Sequence, residues 1–185
     1  MLYEQISKII DVSICDSEST YTNFQKRLKE DALTRDENSQ THFCVYFLPY
    51  NAKNKKVFIT HHKKSGLWIS PGGHIDKGEG LLDILNREIY EELGVKQFFS
   101  KTPSPFLLTI NDGLKYDIHN APIENKVQAC KTHFEIWYIV NTDGVNFNID
   151  PKEFHDTKWL TIDEAEKIVT DPANKKALEI LKKKY

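Results

Sequence analysis

The segment Leu81–Leu93 constrains this chain more than any other. Its run LLDILNREIYEEL contains neither proline nor glycine, and Gly94 follows where a helix ordinarily stops. At about 100° per residue, Leu82, Leu85, Ile89 and Leu93 share one helix face, while Glu88, Glu91 and Glu92 fall on an adjoining one. Carboxylates spaced i, i+3 and i+4 repel, costing a few tenths of a kcal/mol per pair in a bare helix. Arg87 reaches Glu91 at i+4, but one guanidinium cannot neutralise three acids. One reading is a solvated acidic face; the other is a cation site. Carboxylate oxygens are hard ligands suited to Mg²⁺ or Mn²⁺, and Mg²⁺ typically takes one or two carboxylates, several waters and a substrate's phosphates.

Elsewhere the pattern alternates between helical and extended segments. Residues 1–40 read as an amphipathic helical arm, with one stripe at Ile6, Ile9, Ile10 and Val12 and another at Tyr21, Phe24 and Leu28. Ser17, Ser19 and Thr20 supply capping types between them. Those stripes need burial, either on the core or on a second subunit, which leaves a homodimer open. From His42, the alternation Phe43, Val45, Phe47 and the run Lys56–Thr60 predict a hairpin. Further strands are expected at Phe106–Ile110, Tyr116–His119 and His133–Val140, then short helices at Ile162–Val169 and Ala173–Lys183.

Bulk properties exclude several classes. A chain of 185 residues suits one domain with peripheral structure. Lys and Arg number 25 against 27 Asp and Glu, a net of −2, so no broad basic surface for duplex nucleic acid is expected. Cys15, Cys44 and Cys130 are odd in number and lack C-x-x-C spacing, which argues for a reducing compartment and against a zinc site built on them. The opening MLYEQISKIIDVSICDSEST lacks the basic start of a secretion signal, and no apolar run approaches the roughly 20 residues that span a bilayer. A cytoplasmic protein without membrane contact is expected.

The stretch Gly73–Val95, GHIDKGEGLLDILNREIYEELGV, matches the Nudix box G-x5-E-x7-R-E-U-x-E-E-x-G-U at all nine specified positions, U being a bulky aliphatic residue. Average residue frequencies give such a match by chance at roughly one start in 10⁹. With Pro71-Gly72-Gly73 leading in and Trp159-Leu160 before a short acidic helix, residues 42–170 resemble a Nudix hydrolase. The resemblance implies an α/β/α sandwich with a mixed sheet, made by a domain over 41–185, with the helical arm of 1–40 added. It implies Mg²⁺, with Mn²⁺ substituting, at Glu88, Glu91 and Glu92, with the Gly73 carbonyl available to the same ion. Catalytic roles fall to Glu91, Glu92 and Arg87, the last bracing a glutamate unless it makes only an ordinary surface pair. Glu79 resembles the family's structural loop glutamate, and Leu82, Leu85 and Ile89 its core anchors.

The arm, His42-Phe43, His61-His62-Lys63-Lys64, Trp68, His74, His119 and His133-Phe134-Glu135 together resemble a bacterial subgroup of that family. Lys63 and Lys64 are candidate phosphate contacts or plain turn lysines; Trp68, Phe106 and Trp137 are candidate base-stacking rings or core. His119 and His133 suit a second metal or proton-transfer pair, or ordinary strand histidines. Some family members carry a water-activating glutamate a few residues before a tryptophan near the final helices. Glu153, six residues before Trp159, is the candidate, with Asp150 and Asp156 as competitors and an exposed loop acid as the bland reading. Three functions remain open: a hydrolase of NTP-like or ADP-ribose-like nucleoside diphosphate derivatives, a catalytically weak nucleotide-binding sensor, and an isopentenyl diphosphate isomerase.

Overall fold

A computed structural model describes residues 1–112, 130–143 and 147–184. The expected strand Tyr116–His119 lies outside these. Helices α1 (Leu2–Ile9) and α2 (Glu18–Leu28) precede strands β1 (Thr41–Asn51), β2 (Lys56–His62), β3 (Trp68–Ile69) and β4 (Gly72–His74). Helix α3 (Leu81–Leu93) leads to β5 (Leu107–Asp112), β6 (Thr132–Asn141) and β7 (Phe154–Thr161), and α4 (Ile162–Ile168) and α5 (Pro172–Lys184) follow.

The described strands form one mixed sheet in the order β3-β2-β1-β6-β5, with β4 on β1 and β7 on β2. Only the β1–β6 pairing among them is parallel. Alternation along β1 sends Phe43, Val45 and Phe47 to one face and Leu48 and Tyr50 to the other. The first face packs with α1, α2 and α3, the second with α4 and α5. Both faces of β1 are therefore buried, and the result is the expected α/β/α sandwich. No helix of the described residues is long and apolar enough to cross a membrane.

Three readings need correction. The buried stripe of α3 runs through Leu81, Ile84, Leu85, Glu88, Ile89, Glu92 and Leu93, with Leu82 only half-buried. The helix is turned further toward the glutamates than its leucines alone indicate. Residues 154–161 form a strand against β2, where the sequence analysis expects none. The short strands β3 and β4 are likewise absent from the expected strands. Gly94 ends α3 in the left-handed region, φ 72°, where a side chain would be strained.

The arm lies on the core. Ile6 and Phe24 are fully buried in the same cluster as α3, and Phe24 meets Phe43 and Phe134 edge-on at centroid distances of 5.7 and 5.3 Å. Ser17 caps α2 by accepting a hydrogen bond from the Thr20 amide at 3.1 Å. Gln5 Oε1 accepts from the amide of Leu81 at 2.7 Å, satisfying a donor at the open start of α3. Arg27, buried, donates to the carbonyls of Asp31, Ala32 and Thr41, locking the turn into β1. Phe24→Ala should lower unfolding free energy in urea by about 3–5 kcal/mol, the usual range for deleting a buried phenyl ring. A loss below about 1 kcal/mol would mean the arm unfolds independently of the sheet.

Candidate active site

The loop from β4 to α3 folds back on the helix and is pinned by one side chain. Arg87 donates from Nε and Nη2 to the two Glu79 oxygens at 2.6 and 3.0 Å, a bidentate pair. Its Nη1 reaches Glu88 at 2.8 Å and Glu91 at 3.1 Å, and Nη2 also donates to the His74 carbonyl at 2.9 Å. Glu79 in turn accepts from the Asp76 amide at 2.9 Å. The i,i+4 pair read from the sequence is thus one contact among several.

Glu88 and Glu92 are each only 7% exposed, whereas Glu91 is open to solvent. Burial pushes the Glu88 carboxyl up to about 7, with Arg87 opposing the shift and Glu91 adding to it. Burial also raises Glu92 well above the ordinary carboxylate range; the adjacent Glu88 adds to this, and the Gly72 amide, donating at 2.7 Å, partly offsets it. Carboxylates with that preference for the neutral state are poised to accept a proton or a cation. At Gly73, a Cβ would fall 2.1 Å from Glu88 Oε1, so only glycine lets the helix carboxylate close on this backbone. These oxygen donors fit a hard divalent ion.

A cleft of about 500 Å³ is lined by Glu88, Glu91, Glu92, Arg87 and Gly73 together with Lys64, Asp150 and Glu153. Glu153 sits in the turn before β7; its Oε2 lies 3.8 Å from His62 Nε2 and its carbonyl accepts from the Lys63 amide at 2.9 Å. Asp156 is exposed on β7, outside the cleft lining. Lys63 turns away, its ammonium donating to the Pro151 carbonyl. Trp68 stacks on His61 at 5.0 Å with the Lys158 ammonium 4.4 Å from its ring centre. Phe106 packs on the cluster of Leu107, Trp137, Ala173 and Ala177. Trp137 is fully buried, its Nε1 donating to Thr109. None of these last four residues lines the cleft.

Two contributors go beyond the sequence reading. Arg35, at the end of the arm, lines the cleft because its amide bonds the Ile75 carbonyl at 3.1 Å. Only the fold brings that arm residue beside the box loop. The second is a group of buried His42 and Cys44 with half-buried His74 and His133, of which the sequence singled out His133 alone as a metal or proton-transfer candidate. Burial holds the His74 and His133 imidazoles low, to about 3 and about 4, so both are neutral. His119 lies outside the described residues.

Sequence and structure comparisons agree with this geometry. The sequence model described as NUDIX domain matches residues 40–182. An RNA pyrophosphohydrolase of Francisella philomiragia is 25% identical over 114 residues, covering 59% of this chain and 71% of that protein. The E. coli dihydroneopterin triphosphate pyrophosphohydrolase superposes with a TM-score of 0.56 at 18% identity, over 74% of this chain and 92% of that one. The NUDIX domain of Shewanella oneidensis NrtR, solved with ADP ribose, gives 0.56 at 16% identity, over 78% and 88%. Likenesses at these identities establish fold. The family match and the intact box establish more: this chain belongs to the Nudix hydrolases, a family that acts on nucleoside diphosphate-linked substrates and generally uses divalent metal ions.

Proposed function

We propose that the protein hydrolyses the pyrophosphate linkage of an NTP-like or ADP-ribose-like nucleoside diphosphate derivative, with Mg²⁺ bound and Mn²⁺ able to replace it. The observation that carries this reading is that the box glutamates and Glu153 line one cleft. Glu88, Glu91 and Glu92, with the Gly73 carbonyl, would hold the metal, which when bound would supply neutralisation of charge on the phosphates and on the oxygens that gain charge during attack. Arg87 holds Glu88 and Glu91 in place. Lys64 and Arg35 bring positive charge to the same cleft and suit the outer phosphate oxygens. Glu153 accepts the proton of the attacking water on its carboxylate, from a turn able to close over substrate. Burial lowers the pKa of its neighbour His62, with the Glu153 charge opposing that shift.

A panel of nucleoside triphosphates, ADP-ribose and RNA bearing a 5′ polyphosphate, assayed with Mg²⁺ for released phosphate or nucleoside monophosphate, tests the class. The last is included because of the named Francisella relative. Turnover of at least one member is expected. Saturable binding across the panel with no product would identify a sensor instead.

Metal binding should register without substrate. A ligand that binds only the folded state adds about 2.7 kcal/mol at a hundredfold excess over its Kd. Glu88 carries its proton more tightly in the folded chain than in the unfolded one. The metal-free protein therefore loses stability as pH rises from the ordinary carboxylate range through about 7. Bound cations oppose that loss, so the Mn²⁺-induced rise in Tm should be larger at about pH 8 than at about pH 6. It should vanish in the triple variant Glu88→Gln, Glu91→Gln, Glu92→Gln. Equal shifts in parent and triple variant would place the ions elsewhere.

Glu153→Gln keeps size and hydrogen bonding but removes the base, and should cut kcat by about 10²–10⁴ with KM nearly unchanged. If kcat stays within a few-fold of the parent, the proton goes to a box glutamate.

A further inference from the structure

Three strands meet in register beside the cleft. Cys44 of β1 faces His74 of β4 across an antiparallel pair, and His42 of β1 faces His133 of β6 across the parallel one. His42 and Cys44 are two residues apart, so strand alternation puts all four side chains on one face of the sheet. Their nitrogen and sulfur ligand atoms all lie within 4.8 Å of one another, and His74 Nε2 and His133 Nε2 are 3.4 Å apart. A tetrahedral zinc site with Zn–N and Zn–S bonds of 2.0–2.3 Å has ligand separations of roughly 3.3–3.8 Å. The widest separations here, up to 4.8 Å, exceed that range by about an ångström.

His42 supplies an independent indication. It is fully buried, and its Nδ1 lies 2.8 Å from the Asn38 carbonyl, which can only accept. Nδ1 therefore carries the hydrogen, and Nε2 presents its lone pair to the cluster. That Nε2 is buried with no hydrogen-bond partner among the described residues. A buried acceptor left unmatched costs about 1–3 kcal/mol, and a ring fixed by Nδ1–H to a backbone carbonyl is the usual arrangement of a metal-bound histidine.

We propose that His42, Cys44, His74 and His133 form a second metal site, for a zinc-type divalent ion held by three neutral imidazoles and one thiolate. The donors are soft where the box donors are hard, so the two sites select different ions. Cys44 releases its thiol proton to solvent on binding, as metal ligation by cysteine requires. Four protein ligands close the tetrahedron, which makes the site structural: it ties β4 to β1 and β6 at the cleft. His74 belongs to both neighbourhoods, its carbonyl on Arg87 and its ring in the cluster.

The test uses the full chain, stripped of metal, in the Glu88→Gln, Glu91→Gln, Glu92→Gln background, which removes the oxygen site. Titration with Co²⁺ should give one equivalent per chain, with tetrahedral visible absorption and a thiolate-to-metal charge-transfer band. Cys44→Ser should abolish that band. Cys130→Ser should keep it, although Cys130 Sγ lies 3.6 Å from His74 Nε2. Zn²⁺, measured by competition with a chromophoric chelator, should displace the Co²⁺, and millimolar Mg²⁺ should not. His133→Gln, at a half-buried position and checked by circular dichroism, should weaken Zn²⁺ at least tenfold. Absence of a thiolate band, its loss in Cys130→Ser and not in Cys44→Ser, or unchanged Zn²⁺ affinity in folded His133→Gln would each overturn the assignment.

Discussion

The Arg87 guanidinium organises everything around it. Its hydrogen bonds tie the loop at Glu79, the backbone of β4 at His74 and two successive turns of α3 at Glu88 and Glu91. The neighbouring acids hold it still more firmly in its charged state. Removing one partner from a half-buried ionic network leaves charges with no compensation, so such a network behaves as a unit. With Arg87 in place, glutamates that would repel one another share a narrow space, and Gly73 leaves room for Glu88 to reach the β4 backbone. The cleft's shape follows from that approach, since β4 can pair with β1 only where its residues do not collide with the helix.

The helix, its glycine stop, the hairpin and the mixed sandwich were all legible in the sequence, because each rests on local periodicity or a nine-position motif. Burial of Glu88 and Glu92 was not. A helical wheel drawn from Leu82, Leu85, Ile89 and Leu93 points its apolar centre away from them. The true contact arc is set by β4 and the loop, which the wheel does not contain. β7 was missed because Phe154-His155-Asp156-Thr157-Lys158 alternates weakly and its exposed side chains carry no apolar rhythm. Lys63 and Lys64 are adjacent and alike in sequence, yet only Lys64 faces the cleft; a turn's geometry decided between them. The histidine cluster draws on β1, β4 and β6 and becomes visible only when strand registers are known.

The arm is woven into the site it precedes. Gln5 completes the start of the helix that carries the box, and Asp36 Oδ2 accepts from the Lys77 amide at 2.9 Å in the loop that Glu79 and Arg87 brace. Arg35 enters the cleft between these anchors. A segment outside the shared family motif thus both supports and lines the cleft.

The parallel pairing of β1 with β6 also governs how the molecule comes into being. Thr41 must find Thr132, and each following residue its partner, before the sheet has a centre. Contacts so distant along the chain are slow to form, because much of the loop entropy is lost before any pairing is gained. Until β6 arrives, β1 presents an unpaired edge flanked by Phe43, Val45, Phe47 and Leu48, a surface apt to pair with another nascent chain. In the folded sheet Phe24 of α2 covers Phe43 on that edge. The histidine cluster and the cleft both wait on the β1–β6 pairing, since His133 lies on β6.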